Sequence, residues 1–219
     1  MARPREFDEQ EVVAKATALF RRHGYHATSV RELGEELDLK PSSLYRTFTD
    51  KHTLFLRALD YYRARDSAEA ERRLEASGLC REALRDWMIW MISGAPHDDP
   101  ADGCFVVNTA TELGTTDVAV QQRVEAAFDV TRDALDAVLR RGRTTGELPP
   151  DLDIDTAVES LFTTVLGLRV RERARHDPAR LIAAIDFAIR SLGPVPEGPP
   201  ELSHPHDERR TKEQPARAE

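Results

Sequence analysis

The chain has 219 residues and a formal net charge of −8, and it is 40% hydrophobic and 32% charged with few aromatics. That balance fits a helix-favouring globular protein with one large core or two modest ones, and its negative total excludes coating of nucleic acid by bulk charge. No apolar run approaches the roughly eighteen residues of a membrane span, and MARPREFDEQE has no apolar leader, so a cytoplasmic protein with no membrane contact is expected. Two cysteines, Cys80 and Cys104, make neither a disulfide framework nor a zinc pattern.

In chain order every segment reads as helix. Asp8 caps the first helix, with Glu11 reaching back and Phe7 stapled onto Val12. Val12, Val13, Ala16, Leu19 and Phe20 form its buried stripe, which ends at Gly24. A second helix runs from Thr28 or Ser29 to Leu37. Ser29 and Glu32 have capping-box spacing, and Val30, Leu33 and Leu37 give one apolar face. A tight break follows at Asp38-Leu39-Lys40, where Asp tolerates the left-handed backbone such a turn needs. Pro41 opens a third helix, Pro41 to Phe48, whose fixed φ suits the first position. Leu44 and Phe48 are its buried residues. Its outer side is Ser42, Ser43, Tyr45, Arg46 and Thr47, nearly all hydrogen-bond donors with no carboxylate to repel a phosphate. Two helices joined by a short turn, the second presenting donors, are either a helix-turn-helix that enters the DNA major groove or a plain helical hairpin.

Asp50 caps a long fourth helix that carries Leu54, Phe55, Ala58, Leu59 and Tyr62, then turns strongly charged through Arg73, as suits a connector. The body starts near Ser77-Gly78. In residues 80–93, Leu84, Trp87, Met88, Met91 and Ile92 share a face and Trp90 falls off it. A loop at 94–103 precedes a helix from about Gly103 to Leu113 and a long one from Asp117 to about Arg143. The turn at Gly146-Glu147-Leu148-Pro149-Pro150 stops the latter. Asp153 starts the eighth helix, and Asp177-Pro178 the ninth. The expected fold is thus all-α with about nine helices. A three-helix head spans residues 1–55, a larger body 56–194, and the apolar-poor, proline-containing tail 195–219 reads as disordered. Residues 1–55 hold nine Lys and Arg against nine Asp and Glu, so the acidity lies in the body.

The last two helices are apolar over more than one face, which requires a second buried surface. Val158, Leu161, Val165 and Leu168 on the eighth and Ile185 and Ile189 on the ninth are assigned to a four-helix interface with a second copy. Thr163, Thr164 and Gly167 would permit close crossing. Burial of the pair within one chain is the alternative. No phosphate loop, nucleophile elbow or metal-ligand spacing is present. No catalysis, metal or cofactor is therefore expected, and His97-Asp98-Asp99 reads as solvated loop charge. Trp87, Trp90, Met91, Phe105, Phe128 and Phe162 could line an apolar cavity, or be plain core. Glu112 could be a pocket carboxylate or solvent-facing.

Across the first sixty residues the chain resembles the TetR family of transcriptional repressors. The residues that carry the likeness are Ala18-Leu19-Phe20, Gly24-Tyr25, Thr28-Ser29-Val30, Leu33-Gly34, Leu39, Ser43-Leu44-Tyr45, Phe48, Lys51-His52 and Leu54. Asp38 stands where the family usually has Gly, and Lys40 where Ser or Thr usually caps the recognition helix; the GELP segment at 146–149 is again family-like. The resemblance implies a dimeric repressor on a palindromic double-stranded operator, released by a small-molecule effector in a body cavity. It implies phosphate contacts from Thr28, Tyr45 and Lys51, with Lys40, Pro41, Ser42, Ser43 and Arg46 meeting base edges or neighbouring phosphates. The run GCFVVNTATEL is similar to a branch in which some members sense oxidants, electrophiles or metals through a cysteine near this place. That makes Cys104 a candidate thiol sensor, favoured by a helix N-terminus and opposed by Asp98, Asp99, Asp102 and the apolar residues after it. A helical ligand-binding protein with no DNA partner is the competing reading.

Overall fold

A computed structural model describes residues 8–76, 78–93, 100–174 and 177–195. The Phe7 staple, His97-Asp98-Asp99 and the tail beyond 195 lie outside them. Among the described residues all regular structure is helical. The elements are α1 (Glu9–His23), α2 (Val30–Glu36), α3 (Pro41–Phe48), α4 (Lys51–Ala76), α5 (Cys80–Ser93), α6 (Phe105–Leu113), α7 (Val118–Thr144), α8 (Ile154–Arg173) and α9 (Pro178–Arg190), with a 3-10 turn at Pro100–Asp102 before α6.

Short polar side chains set most of these helix starts by accepting from backbone N–H groups that have no partner inside the helix. Asp8 takes the Gln10 amide, Asp50 that of Thr53, Asp117 that of Val120, Asp153 that of Thr156 and Asp177 that of Ala179. The Ser29–Glu32 capping box is complete in both directions. Asp38 takes the left-handed backbone its turn requires, at φ 50°. Glu11 differs from expectation: it pairs with Lys15 one turn on, at 2.8 Å.

Two apolar cores share the long helices. One joins α1, α2, α3 and the first half of α4 to α6 and the start of α7, so the packing of the head runs on into the body. Rings carry it: Phe20 stands edge-on to Phe55 at 5.0 Å, Phe55 to Phe105 at 5.4 Å, and Phe105 to Tyr62 at 5.7 Å. Such pairs add about 0.5–1.5 kcal/mol each beyond area burial. The second core joins α5, the end of α7, α8 and α9. Trp90, off the α5 stripe, lies half-buried beneath the Arg73 guanidinium of α4, 4.8 Å from its ring.

This second core corrects the interface assignment. Val158, Leu161, Val165, Leu168, Ile185 and Ile189 are all buried within the single chain. The apolar width of α8 and α9 is used first to seat them on α5 and α7 and on one another. The outer face is different: Thr163, Gly167, Val170, Ala183 and Phe187 are exposed, Phe187 at 68%. A Cβ on Gly167 would meet nothing within 4 Å.

Gly142, by contrast, is needed for its size. A Cβ there would sit 2.6 Å from Cys80 Sγ and 2.7 Å from Cys80 Cβ, at the α5–α7 contact. Gly142→Ala gains helix propensity of about 1 kcal/mol, but overpacking costs about 1–3 kcal/mol and the neighbour is a fully buried side chain. The net effect expected is a lower urea midpoint; a raised midpoint would contradict this packing.

Candidate nucleic-acid interface and body cavity

α3 is held to the head by Leu44 and Phe48, both fully buried, with the Arg57 guanidinium 5.5 Å over the Phe48 ring. The opposite side stays open. Ser42 and Arg46 are exposed, Tyr45 is 45% exposed, and Ser43 and Thr47 are half-buried. Lys40 sits at the N-cap, exposed and without a side-chain capping bond. Pro41 occupies the first helical position. The face therefore offers two cations, hydroxyls and a phenol, and no acid, on a helix of eight residues.

Two residues assigned to phosphate are used otherwise. Thr28 is 1% exposed and its hydroxyl donates to the Gly24 carbonyl at 2.6 Å. It belongs to the packing of the α1–α2 turn rather than to the outer face. Lys51 is half-buried; its ammonium donates to the carbonyls of Tyr25 at 2.7 Å and Thr28 at 2.8 Å and lies 4.1 Å over the Tyr25 ring. Burial lowers its pKa from the ordinary lysine value, against the opposing pull of Glu112 and Glu32. Lys51 ties α4 to that same turn.

From the body, α6 grips the turn as well. The Glu112 carboxylate accepts from the backbone N–H groups of Tyr25 at 2.9 Å and His26 at 2.7 Å, so it is neither a pocket acid nor a solvent-facing one. Gly24 makes this approach possible. Its φ is +86°, and a Cβ there would lie 2.6 Å from the Glu112 carboxylate. Nearby, Arg21 donates through Nε to the Gly103 carbonyl at 2.5 Å, Asn108 bonds the carbonyls of Asp102 at 2.9 Å and Arg21 at 3.4 Å, and His52 on α4 meets Asp117 at 2.7 Å. Apart from the local Asn108–Asp102 bond, these links join segments more than sixty residues apart, and nothing local in the sequence announces them.

The body holds a cavity of about 70 Å³ bounded by α4, α5, α6, α7 and α8. Trp87, Trp90, Met91, Phe128 and Phe162 line it; Phe105 does not, being packed between Phe55 and Tyr62 instead. Phe128 and Phe162 meet edge to face at 5.4 Å. Sequence reasoning missed the polar part of the wall, which includes Tyr62, Arg63 and Arg169. Arg169 is buried, bonds the Met91 carbonyl and pairs with Glu172 at 3.3 Å. Cys104 caps α6, lines the cavity and is 8% exposed, with the Tyr62 hydroxyl donating to its sulfur at 3.8 Å. Cys80 lies in the other core, where burial and the neighbouring Glu147 push its thiol up to about 11. The described residues contain no group of three or more His, Cys, Asp or Glu arranged to hold a metal ion.

Known proteins share this arrangement along the chain. Residues 12–58 match the family of bacterial regulatory proteins named for tetR, and residues 79–188 match a tetracyclin repressor-like C-terminal domain. The HTH-type transcriptional repressor BdcR of Escherichia coli is 40% identical over 89% of this chain and 94% of its own length. The repressor ComR of the same organism is 31% identical over 86% and 90%. Among solved structures, a cysteine-substituted CifR, a TetR family regulator in complex with 26-base-pair operator DNA, superposes with a TM-score of 0.77 at 27% identity. It covers 86% of this chain and 99% of its own. A TetR regulator from Chloroflexus aurantiacus gives 0.70 at 25%, over 84% and 90%. With both halves of the chain matched, and relatives aligned across nearly all of it, the protein belongs to the TetR family of transcriptional regulators.

Proposed function

We infer that the protein is a dimeric repressor whose α3 reads a palindromic operator and which a small molecule in the body cavity releases from DNA. The observation that carries this is the acid-free donor face of α3, set on a head whose relatives are repressors and, in CifR, sit on operator DNA. Tyr45 and Lys40 are positioned for phosphate; Ser42, Ser43 and Arg46 face the groove floor or adjacent phosphates. Thr28 and Lys51 act one step behind, shaping the turn on which α2 and α3 stand. Purified protein should shift its own promoter DNA in a sequence-selective, salt-dependent way. Lys40→Ala should lower the slope of log affinity against log salt by about 0.9, and Tyr45→Ala should weaken all sequences alike. Binding that ignores salt and sequence would sink the reading and favour a ligand-binding protein without a DNA partner.

The second copy is assigned to the exposed stripe of α8 and α9, around Gly167, Val170 and Phe187. Gly167→Ala provides a discriminating case. In an isolated helix the change is stabilising by about 1 kcal/mol, whereas at a helix crossing the added methyl holds the backbones apart. The expected result is a weaker dimer by analytical ultracentrifugation, and Phe187→Asp should give monomers that bind operator poorly. Dimers unaffected by both changes would move the interface elsewhere.

The coupling between cavity and head is assigned to α6. Its first turn lines the cavity and its last holds the 24–26 turn through Glu112. Glu112→Gln keeps the shape but loses the charge that strengthens both hydrogen bonds. Operator affinity without effector should change only a few-fold, while release by effector should be blunted. A full effector response in the variant would place the coupling outside Glu112.

A thiol switch is a second reading, supported by Cys104 lying on the cavity wall. With Cys80 sequestered in the other core, the modification would be an adduct rather than an internal disulfide. N-ethylmaleimide should then release operator from the native protein but not from Cys104→Ser. Equal release from both, or none, removes the thiol switch and leaves reversible ligand binding.

A further inference from the structure

The polar groups on the cavity wall are unevenly chosen. Arg63 and Arg169 supply two positive charges and Trp87 an indole N–H, while the hydroxyls of Tyr62 and Thr131 already donate to Cys104 Sγ and the Ala127 carbonyl. Among the described residues that line the cavity there is no Asp or Glu. Glu172 balances Arg169 from behind, and Asp60 approaches Arg63 at 3.9 Å along α4. Neither acid is part of the lining. Trp87 adds an independent sign: it is 1% exposed, and its indole N–H is buried with no hydrogen-bond partner. A buried donor left unsatisfied costs about 1–3 kcal/mol, which an incoming acceptor that reached it would recover.

We propose that the effector of this cavity is a small monocarboxylate with an aromatic or short aliphatic body, its acid held by the donor set of Trp87, Arg169 and Arg63. The inference rests on the ligand-responsive reading above and names the chemical class of the ligand. An organic cation is disfavoured because it would meet two guanidiniums in a lining whose described residues include no Asp or Glu. A neutral hydrocarbon would leave the indole N–H unpaired. The carboxylate fits because charge-assisted hydrogen bonds are about twice as strong as neutral ones in a low-dielectric site, and because a guanidinium presents a planar fork matched to a carboxylate. The size limit follows from the cavity volume of about 70 Å³, well under the roughly 150 Å³ in which an engineered apolar cavity holds benzene. A single ring or a chain of comparable bulk can enter only by displacing walls.

The test compares benzoate, phenylacetate, hexanoate and octanoate with their primary amides and the corresponding amines. Affinity for the free, full-length protein is measured by titration calorimetry, and operator release separately by fluorescence anisotropy. At least one carboxylate should bind about tenfold or more tightly than its amide, with the amine weakest, and should release operator. Trp87→Phe keeps an aromatic side chain, though a smaller one, and deletes the donor. Arg169→Gln combined with Glu172→Gln removes the guanidinium without leaving its partner charged. Each variant should narrow the carboxylate-over-amide ratio by severalfold; thermal melts establish that each is folded. Amides or amines binding as tightly as acids overturns the proposal, as does no binding by any carboxylate. An unchanged ratio in both variants overturns it too. Failure to bind promoter DNA at all would instead count against the repressor reading, since the calorimetry does not depend on it.

Discussion

The seating of α6 against the head is the constraint on which the rest of the molecule depends. Phe105, at its start, is fixed edge-on between Phe55 and Tyr62 of α4, and Glu112, at its end, holds two amides of the α1–α2 turn. One nine-residue helix is thus bound to the connector by its first turn and to the DNA-binding head by its last. Val106, Val107 and the preceding Cys104 lie on the cavity wall. Because close-packed interiors shift as units rather than deform smoothly, an altered cavity wall cannot leave α6 in place without straining one of its two attachments.

Electrostatics divides labour in the same way. Cations of the head that lie near the body are consumed in internal bonds: Arg21 to the Gly103 carbonyl, Arg22 beside Asp102 at 3.7 Å, and Lys51 to two carbonyls. Lys40 and Arg46 are left exposed on and beside α3. The side chains that α3 and its N-cap present are therefore cationic or neutral on a chain whose total is −8. Phosphate attraction works within about a Debye length, roughly 8–10 Å at ordinary ionic strength, so the distant acidity of the body weakens it little while opposing non-specific adhesion.

How far the sequence discloses this structure follows the range of each interaction. Helix starts at Asp8, Ser29, Asp50, Asp153 and Asp177, the left-handed turn at Asp38 and the proline start at Pro41 were all legible, because each is decided within about four residues. So was the donor face of α3, since burying Leu44 and Phe48 forces it outward. What failed was the partner of each surface. The apolar breadth of α8 and α9 correctly demanded extra burial, yet periodicity cannot say which stripe turns inward. Val158, Leu161 and Ile185 went to the core, and a mixed stripe of Thr163, Gly167 and Phe187 stayed outside. Glu112 draws its partners from a distant segment for the same reason, Phe105 took the core position that was its open alternative, and Thr28 turned inward to the Gly24 carbonyl one turn back. Arg169 was invisible as a wall residue because a lone arginine on an amphipathic helix ordinarily faces solvent.

The small cavity bears on how a ligand could act at all. A guest bound equally by DNA-competent and DNA-incompetent forms shifts nothing, and moving a population from 1:99 to 99:1 takes about 5.5 kcal/mol of differential affinity. Burying a ring of about 150–200 Å² yields about 4–5 kcal/mol at roughly 25 cal/mol per Å². Apolar burial alone thus falls near the requirement only if almost all of it is unavailable in the closed form. A cavity of about 70 Å³ works in that direction, because a ring enters it only by displacing walls. The remaining fraction has to come from a directional interaction made only when the guest is seated. By linkage, whatever the ligand gains on opening the body is the same free energy by which it weakens the hold on DNA. A tight cavity with a buried donor on its wall is therefore a better device for release than a roomy one, which would bind the same molecule in both states and change little.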